Sequence, residues 1–187
     1  AYALTDLMPV LGAGDRRVQV VLASELTPDR LKSSDILFVG LFSGLGRLRD
    51  PVFARSRFRF GESYDEIVDR VSGQSYVSEA FLAAPSDTMY RDYGFFASFA
   101  GPSGNRIAVL SGTRDTALIG VAESLSNPAF LRRLNDGVKG QRDFEALFEV
   151  KGQKQVSLET VLLTHAPIDS PAVWTGAPEE QIAFPAQ

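Results

Sequence analysis

The residues able to do chemistry are few, and their types restrict what that chemistry is. A single histidine, His165, is present, and cysteine is absent. Thiol nucleophiles, disulfides and multi-histidine metal sites are therefore excluded. A serine nucleophile needs a nearby base, and His165, at the end of an apolar stretch beside Pro167, is the one histidine able to serve. Its position is that of a structural or surface residue. The Gly-x-Ser-x-Gly elbow of hydrolases does not occur, although Gly40-Leu-Phe-Ser43-Gly44 approximates it. Gly44-Leu45-Gly46-Arg-Leu-Arg49 lacks the third glycine of a dinucleotide fingerprint, and no phosphate loop ending in Gly-Lys-Ser/Thr is found. The sequence calls for no cofactor and no metal.

Two Ser-Gly junctions remain. Ser43, Gly44, Leu45 and Gly46 follow one apolar run, and Ser111, Gly112, Thr113, Arg114 and Thr116 follow another. Small, hydroxyl-rich backbone at the carboxyl end of a strand, next to a helix start, presents free N–H groups to an anion. If the two strands are neighbours, both junctions open into one crevice. These nine residues form the expected ligand-binding set, with a small anionic molecule as its ligand. The plainer reading is a tight turn with Thr113 or Asp115 capping the helix. Arg47, Arg49, Arg55, Arg57 and Arg59 either rim a partner surface or form a solvated face paired with acids such as Asp50, Glu62 or Asp65. Asp65, Glu66 and Asp69 are expected on the surface.

The elements that must position these residues follow from periodicity. Arg106 to Leu110 is a buried strand, and Gly101-Pro-Ser-Gly-Asn105 joins it to the aromatic strand Asp92 to Ala100 as an antiparallel neighbour. Within the aromatic strand, Tyr93, Phe95, Phe96 and Phe99 are expected in the core. From about Asp115 a helix presents Ala117, Leu118, Val121, Ala122 and Leu125 on one face. Asn127-Pro128 starts another helix, burying Phe130, Leu131 and Leu134. Earlier in the chain, Leu4, Leu7, Met8 and Leu11 have helical spacing, with Pro9 acceptable only in a first turn. Residues 17–24 and 35–42 read as strands, joined by a short helix that Thr27 caps. Tyr64 to Val71 and Gln74 to Ser78 read as a hairpin turning at Ser72-Gly73. Phe144, Ala146, Phe148 and Val150 alternate with polar positions, and Val156 to His165 is a last strand.

The expected fold is α/β, three-layer, with a mixed sheet. Central parallel strands at 17–24, 35–42 and 106–110 are extended by antiparallel hairpins. Residues 1–166 form a single α/β domain and 167–187 a Pro-rich extended tail. The 44% hydrophobic and 22% charged composition is that of an ordinary globular protein, and a net charge of −4 argues against nucleic-acid binding. No apolar run approaches the roughly 20 residues of a membrane span. The compartment stays open, either side of a membrane being compatible. The start at Ala1, inside an element, suggests a piece of a longer polypeptide.

Asp92-Tyr93-Gly94 and the strand that follows, together with Gly112-Thr113 and Ala122-Glu123, resemble poorly characterised α/β modules. These flavodoxin-like or periplasmic-binding-like soluble domains are attached to bacterial membrane or DNA-binding regulatory proteins. The likeness covers about residues 1 to 135. It implies glycine-bearing strand ends shaped as a ligand crevice, and it carries no catalytic residue with it. The function expected is a non-catalytic ligand-binding or sensory module. A small hydrolase using Ser43, Ser111, Asp115 or His165 is the alternative, and a protein-interaction domain using the arginines or the tail is the third.

Overall fold

A computed structural model describes residues 2–12, 17–80, 88–154 and 156–175. In chain order the elements are α1 (Tyr2–Leu11), α2 (Pro28–Ser33), β1 (Ile36–Leu41), α3 (Arg49–Phe53), β2 (Phe58–Phe60), β3 (Glu66–Asp69) and β4 (Ser75–Val77). There follow β5 (Tyr90–Ala100), β6 (Arg106–Gly112), α4 (Asp115–Ser126), α5 (Pro128–Gly137), β7 (Phe144–Gln153), β8 (Val156–Pro167) and α6 (Ser170–Thr175). The fold is α/β. A mixed sheet runs β1-β6-β5-β7-β8, and a second, smaller antiparallel sheet runs β2-β3-β4.

Parallel pairing among the described residues is confined to β1 and β6, and β1 lies at the sheet edge. The centre is antiparallel instead. The tight turn after Ala100, with Gly104 at φ +83°, folds β6 back on β5. The other side of β5 is taken by β7. The strand expected over residues 17–24 does not form: 17–22 has no regular structure, and a 3₁₀ turn covers Ala23–Glu25. Val20 in this stretch is 65% exposed. A β-branched sequence makes a strand only where a partner edge accepts it, and none does here among the described residues.

The strand alternation of β5 and β7 feeds two hydrophobic clusters. Tyr93, Phe95, Ala97, Phe99 and Leu147 join the first, with Phe42, Phe58, Phe60 and Ile67 from the small sheet and its flanks. The rings of Phe53 and Phe95 stack at 5.6 Å, and Phe42 meets Phe60 edge-on at 5.2 Å. Leu110, Ala146, Phe148 and Val150 join the second, against Ala117, Val121, Ala122 and Leu125 of α4 and Leu7 of α1. Helix α4 rests directly on β5 because residue 94 is glycine. A Cβ there would lie 2.3 Å from Val121 Cγ2.

Caps follow the sequence closely. The Thr27 hydroxyl accepts from Arg30 N–H, and Asn127 Oδ1 accepts from Ala129 and Phe130 N–H. The hairpin turn has Gly73 at φ +73°, as its Ser72-Gly73 sequence requires. Four expectations are corrected. Pro9 sits inside α1, which starts at Tyr2, so the helix lacks the bond that an N–H at position 9 would give to the carbonyl of residue 5. Leu131 is exposed, because α5 buries Leu134 alone. Asp69, expected on the surface, is buried. Residues 168–175 are not an extended tail: α6 buries Val173, Ile168 packs in the first cluster, and Trp174 Nε1 donates to the Ala100 carbonyl at 2.8 Å. Residues 176–187 lie outside the described residues.

Candidate functional site

The two Ser-Gly junctions are neighbours. In the β1–β6 register Gly40 faces Ser111 and Leu41 faces Gly112. Ser111 is fully buried, and its hydroxyl donates to the Gly40 carbonyl at 2.8 Å. Gly112 lies beneath α4, where a Cβ would come within 2.7 Å of the Leu118 nitrogen and 2.8 Å of the Arg114 carbonyl. Arg114, half-buried, donates from Nη2 to Asp65 Oδ2 at 2.5 Å. Thr116 Oγ1 pairs with the Tyr90 hydroxyl at 2.8 Å. Ser43, Gly44 and Gly46 are exposed in two 3₁₀ turns, while Leu45 is in the core. The register thus brings the nine residues to one end of the sheet, with their hydroxyls in β6 and α4 turned inward.

Neither Thr113 nor Asp115 provides the cap of α4. Asp92, fully buried on β5, does so from 25 residues away. Its Oδ2 accepts from Ala117 N–H at 2.8 Å in the first helical turn. Its Oδ1 accepts from the Ser78 hydroxyl at 2.8 Å, from Tyr93 N–H at 3.1 Å, and from the Thr113 hydroxyl. Burial pushes the Asp92 carboxyl upward from its ordinary pKa, and these four hydrogen bonds oppose the rise. A carboxylate at a helix start complements the dipole and the orphan N–H groups. The protein itself therefore supplies an anion where the sequence places a ligand.

A second buried carboxylate ties the small sheet to the large one. Glu145 on β7 is fully buried. It accepts from the Ser56 hydroxyl at 2.5 Å and from Arg57 N–H at 2.6 Å, while Ser56 Oγ in turn accepts from Phe58 N–H at 2.9 Å. Arg57 forks onto Asp69 at 2.8 and 2.6 Å. Burial lifts Glu145 to about 7. The Arg57 guanidinium has the opposite effect on Asp69, holding its carboxyl well below the usual carboxylate range. The arginine segment is thus partly internal. Arg57 takes Asp69, and Arg49 lies over the rings of Phe60 and Tyr64 at 5.9 and 5.6 Å. The paired residue is not Asp50, Glu62 or Asp65 for Arg57, because the β2–β3 register sets Asp69 beside it, opposite Phe58.

His165 stands on β8 opposite Ala146, half-buried, and among the described residues no hydrogen bond joins it to a serine. Ser111 is level with Thr164 through Phe95 and Leu147, so three strand spacings separate it from His165. No nucleophile–base pair is assembled among the described residues.

A groove of about 370 Å³ lies elsewhere, between β4 and the face of β5, β7 and β8. Tyr76, Val77, Tyr93, Glu149 and Leu163 line it, with Arg91 and Glu79 at one side. The rings of Tyr76 and Tyr93 meet at 5.5 Å with planes tilted by 58°. Glu79 and Arg91 neutralise each other at 2.5 Å. Burial, reinforced by the Glu149 carboxylate, pushes the Tyr93 phenol above its ordinary pKa. Leu163 reaches the groove because of a β-bulge: Leu147 pairs with Thr164 and Phe148 with Leu162, leaving Leu163 without an opposite residue. These residues come from four strands spread between positions 74 and 163, so no local motif announces them.

No protein-family model matches the chain. Comparison with curated proteins and with solved structures likewise finds no match. Among the described residues no helix is long and apolar enough to cross a membrane.

Proposed function

We propose that the chain is a non-catalytic binding module of a larger regulatory protein, with its ligand in the groove between β4 and β8. One observation carries this reading. The buried groups suited to chemistry are spent on internal hydrogen bonds: Asp92 on α4, Glu145 on Ser56 and Arg57, and Ser111 on Gly40. The groove, by contrast, presents Tyr76, a carboxylate and two aliphatic side chains to solvent over the buried ring of Tyr93. A concave, mixed apolar and polar surface with no base beside a nucleophile suits binding better than turnover.

The reading moves the ligand away from Ser43–Gly46 and Ser111–Thr116, since Asp92 already meets the first turn of α4. A three-layer arrangement, with α1, α4 and α5 on one face of the main sheet and the small sheet with α2, α3 and α6 on the other, fits the two hydrophobic clusters and leaves this groove at the rim.

Thermal unfolding across amines, short peptides, carboxylates, phosphates and sugars tests the proposal. A ligand present at a hundred times its Kd stabilises the fold by about 2.7 kcal/mol, enough to raise Tm by several degrees. The expected result is such a rise with a groove ligand, diminished by Leu163→Ser. Stabilisation by none of these classes would sink the proposal.

A further inference from the structure

Among the described residues strand β4 has one neighbour, β3, and ends the small sheet. The Gln74 carbonyl accepts from Asp69 N–H, and Ser78 N–H donates to the Asp65 carbonyl. In an antiparallel ladder backbone groups alternate between the two sides, so Ser75 and Val77 direct theirs away from β3. Val77 is 52% exposed and Leu163, across the groove, 38%. The edge carries no lysine or proline to block a further strand.

Charge narrows the occupant. Glu79 is matched by Arg91, whereas Glu149, half-buried on the groove floor, has no salt bridge among the described residues. The groove's net charge is therefore negative. A carboxylate beside the Tyr76 and Tyr93 rings, with Leu163 and Val77 adjoining, complements a cation on an aliphatic stem.

We propose that the groove binds an extended polypeptide, which adds a strand to the outer edge of β4 and extends a lysine or arginine side chain to Glu149. The Ser75 carbonyl already accepts from Gln74 Nε2 at 2.8 Å, but the Ser75 N–H and the Val77 N–H and carbonyl still favour a peptide over a free amine, because strand addition gives them partners. This rests on the binding-module reading and names its ligand class.

Fluorescence anisotropy tests it, using a labelled peptide of about nine alternating valines and threonines with a central lysine. A central-glutamate counterpart, a lysine peptide N-methylated at alternate amides, and n-butylammonium complete the set. The lysine peptide is expected to bind at least about tenfold tighter than the glutamate peptide, a difference of about 1.4 kcal/mol. Glu149→Gln, at a half-exposed position, should erase that difference, and N-methylation should abolish binding. Equal binding of the lysine and glutamate peptides overturns the proposal, as does the absence of binding by both. Competition by n-butylammonium at the peptide's own concentration overturns the peptide as occupant. If both peptides fail while another ligand class stabilises the protein, the polypeptide inference falls and the binding module stands.

Discussion

Asp92→Ala is expected to lower the unfolding free energy by about 3–5 kcal/mol, measured by urea denaturation at neutral pH. The reason is the number of donors that one carboxylate satisfies. Removing it leaves Ala117 N–H, Tyr93 N–H and the hydroxyls of Ser78 and Thr113 without that acceptor. Asp92→Asn is a sharper test, since it preserves size. Its amide oxygen must face the three donors at Oδ1, which turns the NH₂ toward Ala117 N–H and sets donor against donor. A loss of about 2–3 kcal/mol follows from one unsatisfied buried group and the removal of charge assistance. A near-neutral Asp92→Asn would show that the carboxylate does not cap α4.

The second large effect is on the pH dependence of stability, through Glu145. Its carboxyl is lifted from the ordinary 4.5 to about 7 in the folded protein. Between those values the native state holds a proton that the unfolded chain has released. Stability therefore falls as pH rises through this window and levels off above it. The shift corresponds to roughly 3 kcal/mol. Glu145→Gln copies the protonated form: its carbonyl still accepts from Arg57 N–H, and its NH₂ donates to the Ser56 hydroxyl. The variant is expected to lose most of the decline between about pH 4.5 and 7 and to match or exceed the parent at pH 8, as read from urea midpoints. An unchanged profile in Glu145→Gln would mean that Glu145 is not the group responsible.

Much of the frame is legible in the sequence because it is local. The turn after Ala100, the apolar face of α4, the Asn127-Pro128 cap and the Ser72-Gly73 hairpin each depend on residues within a few positions. What escapes is non-local. Residues 17–22 have the composition of a strand but find no edge to join. The acceptor roles of Asp92 and Glu145 escape too, because Ala117 and Arg57, which donate to them, lie 25 and 88 residues away. One signal does exist for Glu145: Phe144-Glu-Ala-Leu-Phe148 surrounds a charge with apolar residues on both faces, the pattern of a strand buried on both sides. The groove escapes as well, since Tyr76, Tyr93, Glu149 and Leu163 converge only once the small sheet packs against the large one, and Leu163 is aimed by a bulge.

The binding account turns on where a ligand touches the protein. Backbone amide shifts of the isotope-labelled chain, titrated with the lysine-bearing peptide, locate that contact directly. The account predicts perturbations centred on Ser75 to Val77, Tyr93, Glu149 and Leu163. Perturbations confined to Ser43–Gly46 and Ser111–Thr116, with the groove silent, would contradict it and return the site to the strand ends.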